Sequence, residues 1–360
     1  MSRSAPKVGL VLGAGGVMGG AWLTGGLEAL ATETGWDPGS ADHIVGTSAG
    51  SMMGALLSSG IPPWFMVGHS QGRTWDGLVG NDGRPQGTAD RAAGASFRVE
   101  RRPPRIGPGS WSLIRRSITA PRLHRPPALL AGWLPQGVIS TEPLKDTVRR
   151  VVPSGWNDHP NFWAVACDYR DGHRVAFGRE DAPPADMHDA VAASCAIPGF
   201  YRPVRIGDRL YVDGGLWSTS NLDILRNAGL DLVICLNPTS SLHPPFAWNP
   251  VERMAGVMRR MAGRRLGSER KILRAQGTEV VLIQPTGEDH AAMGPNLMAT
   301  KNRNPVIETA IRTVREQLQA DGVRQLLQDL PPGPEHKIRE PDGPVSEWPD
   351  GLPGMRREAA

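Results

Sequence analysis

The stretch "HIVGTSAGSMMGALL", residues 43 to 57, sets Ser48 between Gly46 and Gly50. G-x-S-x-G is the pattern of a nucleophile elbow, in which a strand turns sharply into a helix and one hydroxyl stands at the tip. A serine nucleophile needs a base to take its proton and donors to hold the oxyanion that develops. Two other stretches supply candidates. In "RLYVDGG", residues 209 to 215, Asp213 ends an apolar strand and is followed by Gly214 and Gly215. A carboxylate at the end of a sheet strand is placed as other catalytic groups are. In "GAGGVMG", residues 13 to 19, a loop carrying Gly13, Gly15, Gly16 and Gly19 follows another strand and opens a helix. The N–H groups of such a loop can face a negative oxygen, helped by the helix dipole. Taken alone, the serine pattern reads equally well as a glycine-rich turn with a helix-capping serine.

The elements around these residues suit the chemistry. Val8 to Leu12 is a short apolar run fit for a buried parallel strand, with a loop over 13–20 and a helix over 21–31. His43 to Val45 is the next strand, and the helix after Ser48 runs to about Ser59. This β-loop-α-β-turn-α start favours a parallel sheet. Residues 161–167 and 173–178 read as a strand pair around an Asp-Gly turn. A helix over 187–200 is stopped at Pro198, and apolar strands follow at 209–215, 230–238 and 278–285. Residues 304–319 form an amphipathic helix, with Pro305 suited to its first position.

The chain has 360 residues, a formal net charge of +4 and a pI near 9.2. Its cations are almost all arginine and cluster, which favours an acidic surface or ligand. No nucleic-acid-binding pattern is present, so a nucleic acid is not expected as partner. Cys167, Cys195 and Cys235 are far apart and sit in apolar or small-residue segments. That points to buried thiols in a reduced compartment rather than a disulfide framework or a metal site. Val8 to Leu27 carries no charge, but eight of its twenty residues are glycine, a poor composition for a lone spanning helix.

Residues 69–135 hold eleven arginines against four acids, many Pro and Gly, and Trp75, Trp111 and Trp133. No regular period persists, so this reads as an insertion over the sheet: a lid or lipid-docking surface, or an ordinary irregular excursion. Residues 252–275 form a basic helix with Met254, Val257, Met258 and Met261 on one face. The face reads first as a core contact, with binding to an anionic membrane as the alternative. From about residue 330 the Pro-rich, charged sequence reads as a disordered tail.

The three motifs, with the A-S-x-A-x-P segment of Ala193, Ser194, Ala196 and Pro198, resemble the patatin-like phospholipase family in order and spacing over most of residues 7 to 285. The resemblance implies an α/β three-layer sandwich with a mainly parallel central sheet, formed by residues 1 to about 325. It implies a lipid acyl hydrolase with Ser48 as nucleophile, Asp213 as base, and an oxyanion hole from the amides around Gly15 and Gly16. Pro198 and its neighbours would shape the site wall. No metal or organic cofactor is implied. The expected partner is a lipid or other acyl ester, and the expected location is cytoplasmic, compatible with peripheral attachment to an anionic membrane.

The sequence departs from the family at Ala14, where a glycine is usual, and at Met18, where many members carry a cation. The latter predicts a preference for neutral esters. Three other readings compete. A dinucleotide fold would need G-x-G-x-x-G, but from Gly13 the third glycine position is Met18. A Ser-acid-His triad would draw on His243, His290 or His336, none in a strand-end context; His43 and His188 read as structural. The third is a non-catalytic lipid-binding or scaffold protein on the same fold.

Overall fold

The computed structural model describes residues 5–75, 78–80, 96–100, 107–119, 126–241, 250–343, 352 and 355–357. The main sheet has eight strands: β1 Val8–Leu12, β2 His43–Thr47, β4 Phe162–Asp168, β5 Arg174–Phe177, β6 Val204–Ile206, β7 Arg209–Asp213, β8 Leu232–Leu236 and β9 Glu279–Ile283. A short ribbon pairs β3 Leu78–Gly80 with β10 Met355–Arg357. The order β6-β7-β4-β2-β1-β8-β9 is parallel from β4 through β9 and antiparallel where β5, β6 and β7 join. The fold is the expected α/β sandwich.

Strand side chains alternate between the two faces, as the pleat requires. Leu10, Leu12, Ile44, Ile234 and Leu236 enter one core, and Val11, Val45, Val233 and Cys235 the other. Both faces are covered, so these strands read as continuous apolar runs. The first core is covered by α1 Gly16–Thr34, α2 Ala49–Ser58, α3 Pro63–Gln71, α7 Met187–Ser194 and α10 Arg303–Gln319. The second takes Leu266 and Leu273 of α8 Pro250–Arg274. The uncharged run from Val8 to Leu27 is thus split between a central strand and a packed helix. Among the described residues, no helix is long and apolar enough to cross a membrane.

Several expectations are corrected. Helix α1 starts at Gly16 and takes in most of the expected loop. Close packing accounts for the glycines that hid this helix from a propensity reading: a Cβ on Gly15 would lie 2.6 Å from the Pro238 ring and one on Gly19 3.1 Å from it. Helix α7 ends at Ser194, well before Pro198, and Pro305 occupies the third position of α10. Within 69–135 two short helices form, α4 Trp111–Thr119 and α5 Pro126–Ala131. Their Leu113 and Ala131 pack on Cys167, Tyr169 and Val212. The residues expected to be irregular at 81–95, 101–106 and 120–125 lie outside the described ones.

In α8 the core contacts are Leu266 and Leu273, while Met261 is exposed; the side chains of Met254, Val257 and Met258 lie outside those described. Residues 330–343, expected to be a disordered tail, pack on the body. Leu330 and Ile338 are buried, the Trp64 indole donates to the His336 carbonyl at 3.0 Å, and the Trp75 indole donates to Glu340 at 2.7 Å. Two apolar side chains and one carboxylate secure a segment that composition alone assigns to solvent. The helix α6 Glu142–Arg149 completes the elements near the site, with α9 Gly287–Met293 beside α10.

Candidate active site

One edge of β4 carries two strands end to end. β5 pairs Ala164 to Cys167 on one side of β4. β2 pairs Phe162 to Val165, and β7 pairs Ala166 to Asp168. Both β2 and β7 overlap the β5 register, so both lie on the opposite side. They run toward each other and meet at Val165 and Ala166, whose partners are Thr47 and Asp213. This abutment brings Ser48, the residue after β2, to Asp213, the last residue of β7.

Ser48 sits at φ 53°, ψ −123°, and α2 starts from its carbonyl, which takes the amide of Ser51 at 2.8 Å. A positive φ at a non-glycine residue is strained, and such strain clusters at functional turns. The Ser48 hydroxyl does not cap α2, so the capping alternative fails. The turn closes only without side chains at its flanks. A Cβ on Gly46 would lie 2.4 Å from the Ser51 Cα, and one on Gly50 2.0 Å from the Leu12 carbonyl oxygen. On the other strand, a Cβ on Gly214 would lie 2.2 Å from the Val165 oxygen.

Ser48 is 4% exposed and Asp213 6%. Burial pushes the Asp213 carboxyl up to about 6, against the lowering effects of the Gly215 amide, which donates to it at 2.7 Å, and of the neighbouring Ser48 side chain. A carboxylate with that value is largely ionised at neutral pH and near the optimum for a base. Cys195, beside it, is no rival nucleophile: burial and the Asp213 charge push its thiol up to about 12.

Ser48 opens into a cavity of about 180 Å³, lined mainly by apolar side chains including Met52, Met53, Leu56, Phe65, Met66 and Leu144. Gly16, Val17 and Gly20 of α1 form part of its wall. Gly15 lies just behind, at the N-cap of α1. No acceptor among the described residues takes the amide of Gly15 or Gly16, so these donors stand free at the positive end of a 19-residue helix. Gly13 is tied back by its amide to Leu236 at 2.9 Å, and Gly19 donates to the Gly15 carbonyl at 2.9 Å.

Some expected site residues are elsewhere. Pro198 does not line the cavity; Cys195, Ile197 and Tyr201 do. Met18 is buried in the first core and is absent from the cavity lining. The argument from Met18 to a preference for neutral esters therefore falls, because its side chain does not meet the ligand space. The charges at the cavity come from Arg150 and Arg303. His43, His188, His290 and His336 do not line it, and His243 lies outside the described residues. His43 packs edge-on against Trp163.

The sequence reading missed the role of Ser194. Its hydroxyl, fully buried, accepts the Ser48 amide at 2.9 Å and donates to the Val165 carbonyl at 2.6 Å. The A-S-x-A-x-P segment marked the residue without revealing its partners. None of the described residues 107–135 lines the cavity, so α4 and α5 do not cover it.

A serine on a strained strand-to-helix turn, brought by abutting strand ends to a buried carboxylate and facing a cavity walled by a glycine-led helix start, makes a candidate serine–carboxylate site on an α/β fold. The chain belongs to the patatin-like phospholipase family, whose model matches residues 10–226. It is 31% identical over 242 residues to proteins of Mycobacterium bovis and Mycobacterium tuberculosis described as uncharacterized NTE family proteins. The alignment covers 66% of this chain and 51% of each relative. The chain thus spans about half the length of the curated relatives it matches.

Proposed function

We propose that this chain is a serine acyl hydrolase that cleaves fatty-acyl esters of lipids, in the manner of a phospholipase A, lysophospholipase or esterase. The observation that carries the reading is the meeting of two strand ends on β4, which sets Ser48 on its strained turn beside a buried Asp213 at the end of an apolar cavity. An acyl chain enters the cavity and gives up its contact with water, which supplies binding energy at about 0.8 kcal/mol per buried methylene. The Ser48 oxygen attacks the ester carbonyl while Asp213 takes the hydroxyl proton. The carbonyl electrons move to oxygen, and the amides of Gly15 and Gly16 stabilise that oxyanion. Collapse expels the alcohol, which leaves with the proton from Asp213. Water then attacks the acyl-enzyme by the same route, Asp213 taking its proton and returning it to Ser48, and the fatty acid departs.

The test is a fluorophosphonate probe together with hydrolysis of acyl esters of graded chain length. Wild type labels and turns over, and Ser48→Ala does neither. Hydrolysis retained by the alanine variant overturns the mechanism. A wild type inert to both, yet binding fatty acid, favours a lipid-binding protein on the same fold.

A further inference from the structure

Three residues after Ser218, the chain does something costly. Asn221 is fully buried and holds φ 51°, the left-handed region. Its amide nitrogen donates to Thr47 Oγ1 at 3.1 Å, to the Ser218 carbonyl at 2.6 Å and to the Gly214 carbonyl at 3.4 Å. Its amide oxygen accepts from Arg174 at 3.3 Å. Carbonyls on one side and a guanidinium on the other leave the amide one orientation. Thr47 immediately precedes the proposed nucleophile, and Gly214 immediately follows the proposed base. We infer that Asn221 is a positioning residue, whose single amide clamps the abutting ends of β2 and β7 and so fixes the distance between Ser48 and Asp213. This inference rests on the functional reading above.

The clamp is itself anchored. Glu269 of α8, fully buried, accepts the Ser220 hydroxyl at 2.5 Å and the Leu222 amide at 3.1 Å, so it holds the residues on both sides of Asn221. Arg265 donates to Glu269 at 2.7 Å, and Arg174 makes a two-pronged pair with Asp223 at 2.6 and 3.0 Å. A buried carboxylate is expensive unless fully paired, and every bond here converges on the loop that presents Asn221. β2 and β7 share no ladder with each other; they only meet at their ends. Without the amide, nothing in this network links Thr47 to Gly214. Asn221 does not line the cavity, so its contribution falls on the chemical step rather than on substrate binding.

The test uses full-length Asn221→Gly, which tolerates the positive φ and removes only the side chain. The expected result is a kcat lower by about 10- to 100-fold on a soluble acyl ester, the scale of loss for a misplaced catalytic pair, with KM changed less than about twofold. The Asp213 carboxyl, followed by NMR in ¹³C-aspartate protein and assigned with Asp213→Asn, titrates at lower pH as water reaches the loosened turn. Besides Ser48 and the Gly215 amide, the groups facing Asp213 are the thiols of Cys195 on the end of α7 and Cys167 on β4. Both thiols are pushed upward by burial, so they add no competing titration there. Should the glycine variant not fold, Thr47→Val removes one anchor and Thr47→Ser keeps it; the valine variant loses kcat and the serine variant restores it. Unchanged kcat together with an unchanged Asp213 titration overturns the clamp. An inert wild type whose Asp213 titration still moves with Asn221 overturns the hydrolase reading instead.

Discussion

Replacing Asp213 by Asn is expected to remove activity and, at neutral pH, to stabilise the protein. Burial raises the Asp213 carboxyl from 3.8 to about 6. Between those two values the folded chain holds a proton that the unfolded chain releases. Stability therefore falls as pH rises through that window, and stays lower above it. At 1.36 kcal/mol per pH unit, the ionised carboxylate at pH 7 costs about 3 kcal/mol relative to its neutral form. Asn has the shape of the neutral form. Its oxygen can take the Gly215 amide, and its NH₂ can donate to the Ser48 oxygen. Urea unfolding of wild type and Asp213→Asn at pH 7.5 is expected to favour the variant by about 2–3 kcal/mol, with the gap closing below about pH 4. Acylation by a fluorophosphonate drops by about 100-fold or more, as for loss of a positioned base. A variant no more stable than wild type at pH 7.5, or a gap independent of pH, refutes the argument that burial is what tunes this carboxyl.

The same carboxyl sets the acid side of the activity profile: kcat/KM is expected to fall tenfold per pH unit below about 6, and a profile flat to pH 5 contradicts Asp213 as base. Ser194→Ala orphans the Ser48 amide and the Val165 carbonyl; it is expected to cost about 2–4 kcal/mol in urea unfolding and to lower kcat more than it changes KM. Met18→Arg puts an unpaired charge into the first core; it is expected to destabilise by more than about 3 kcal/mol, with no change in the ratio of phospholipid to neutral-ester rates in the protein that remains folded.

The sheet was legible because its central strands are buried on both faces. Val8–Leu12 and Leu232–Leu236 are short unbroken apolar runs, and such runs have few alternatives. The serine elbow and the Asp-Gly-Gly turn were legible because sterics dictate residue type there. At Gly46, Gly50 and Gly214 an added Cβ would lie 2.5 Å or less from a neighbouring atom. Where packing merely permits a residue, the reading slipped. The glycines at 15 and 19 leave room for Pro238, over two hundred residues away, and no local propensity reports that contact.

Met18 shows the same limit in the site. A one-dimensional motif gives the spacing of side chains along a helix, yet the face each one presents depends on what the helix packs against. Val17 and Gly20 reach the cavity, while Met18 between them turns into the core. The partners of Ser194, and Asn221 altogether, escaped the sequence for a related reason. Each acts on residues far off in sequence: Ser194 on Ser48 and Val165, Asn221 on Thr47. Their value comes from the meeting of β2 and β7 on one edge of β4. Parallel β2 stops at Val165, and antiparallel β7 takes over at Ala166. The proposed nucleophile and base stand on two separate strand ends that share no ladder with each other. The β4 ladder sets the register of each end, and a buried side chain with several hydrogen-bonding positions adds a direct tie across the junction.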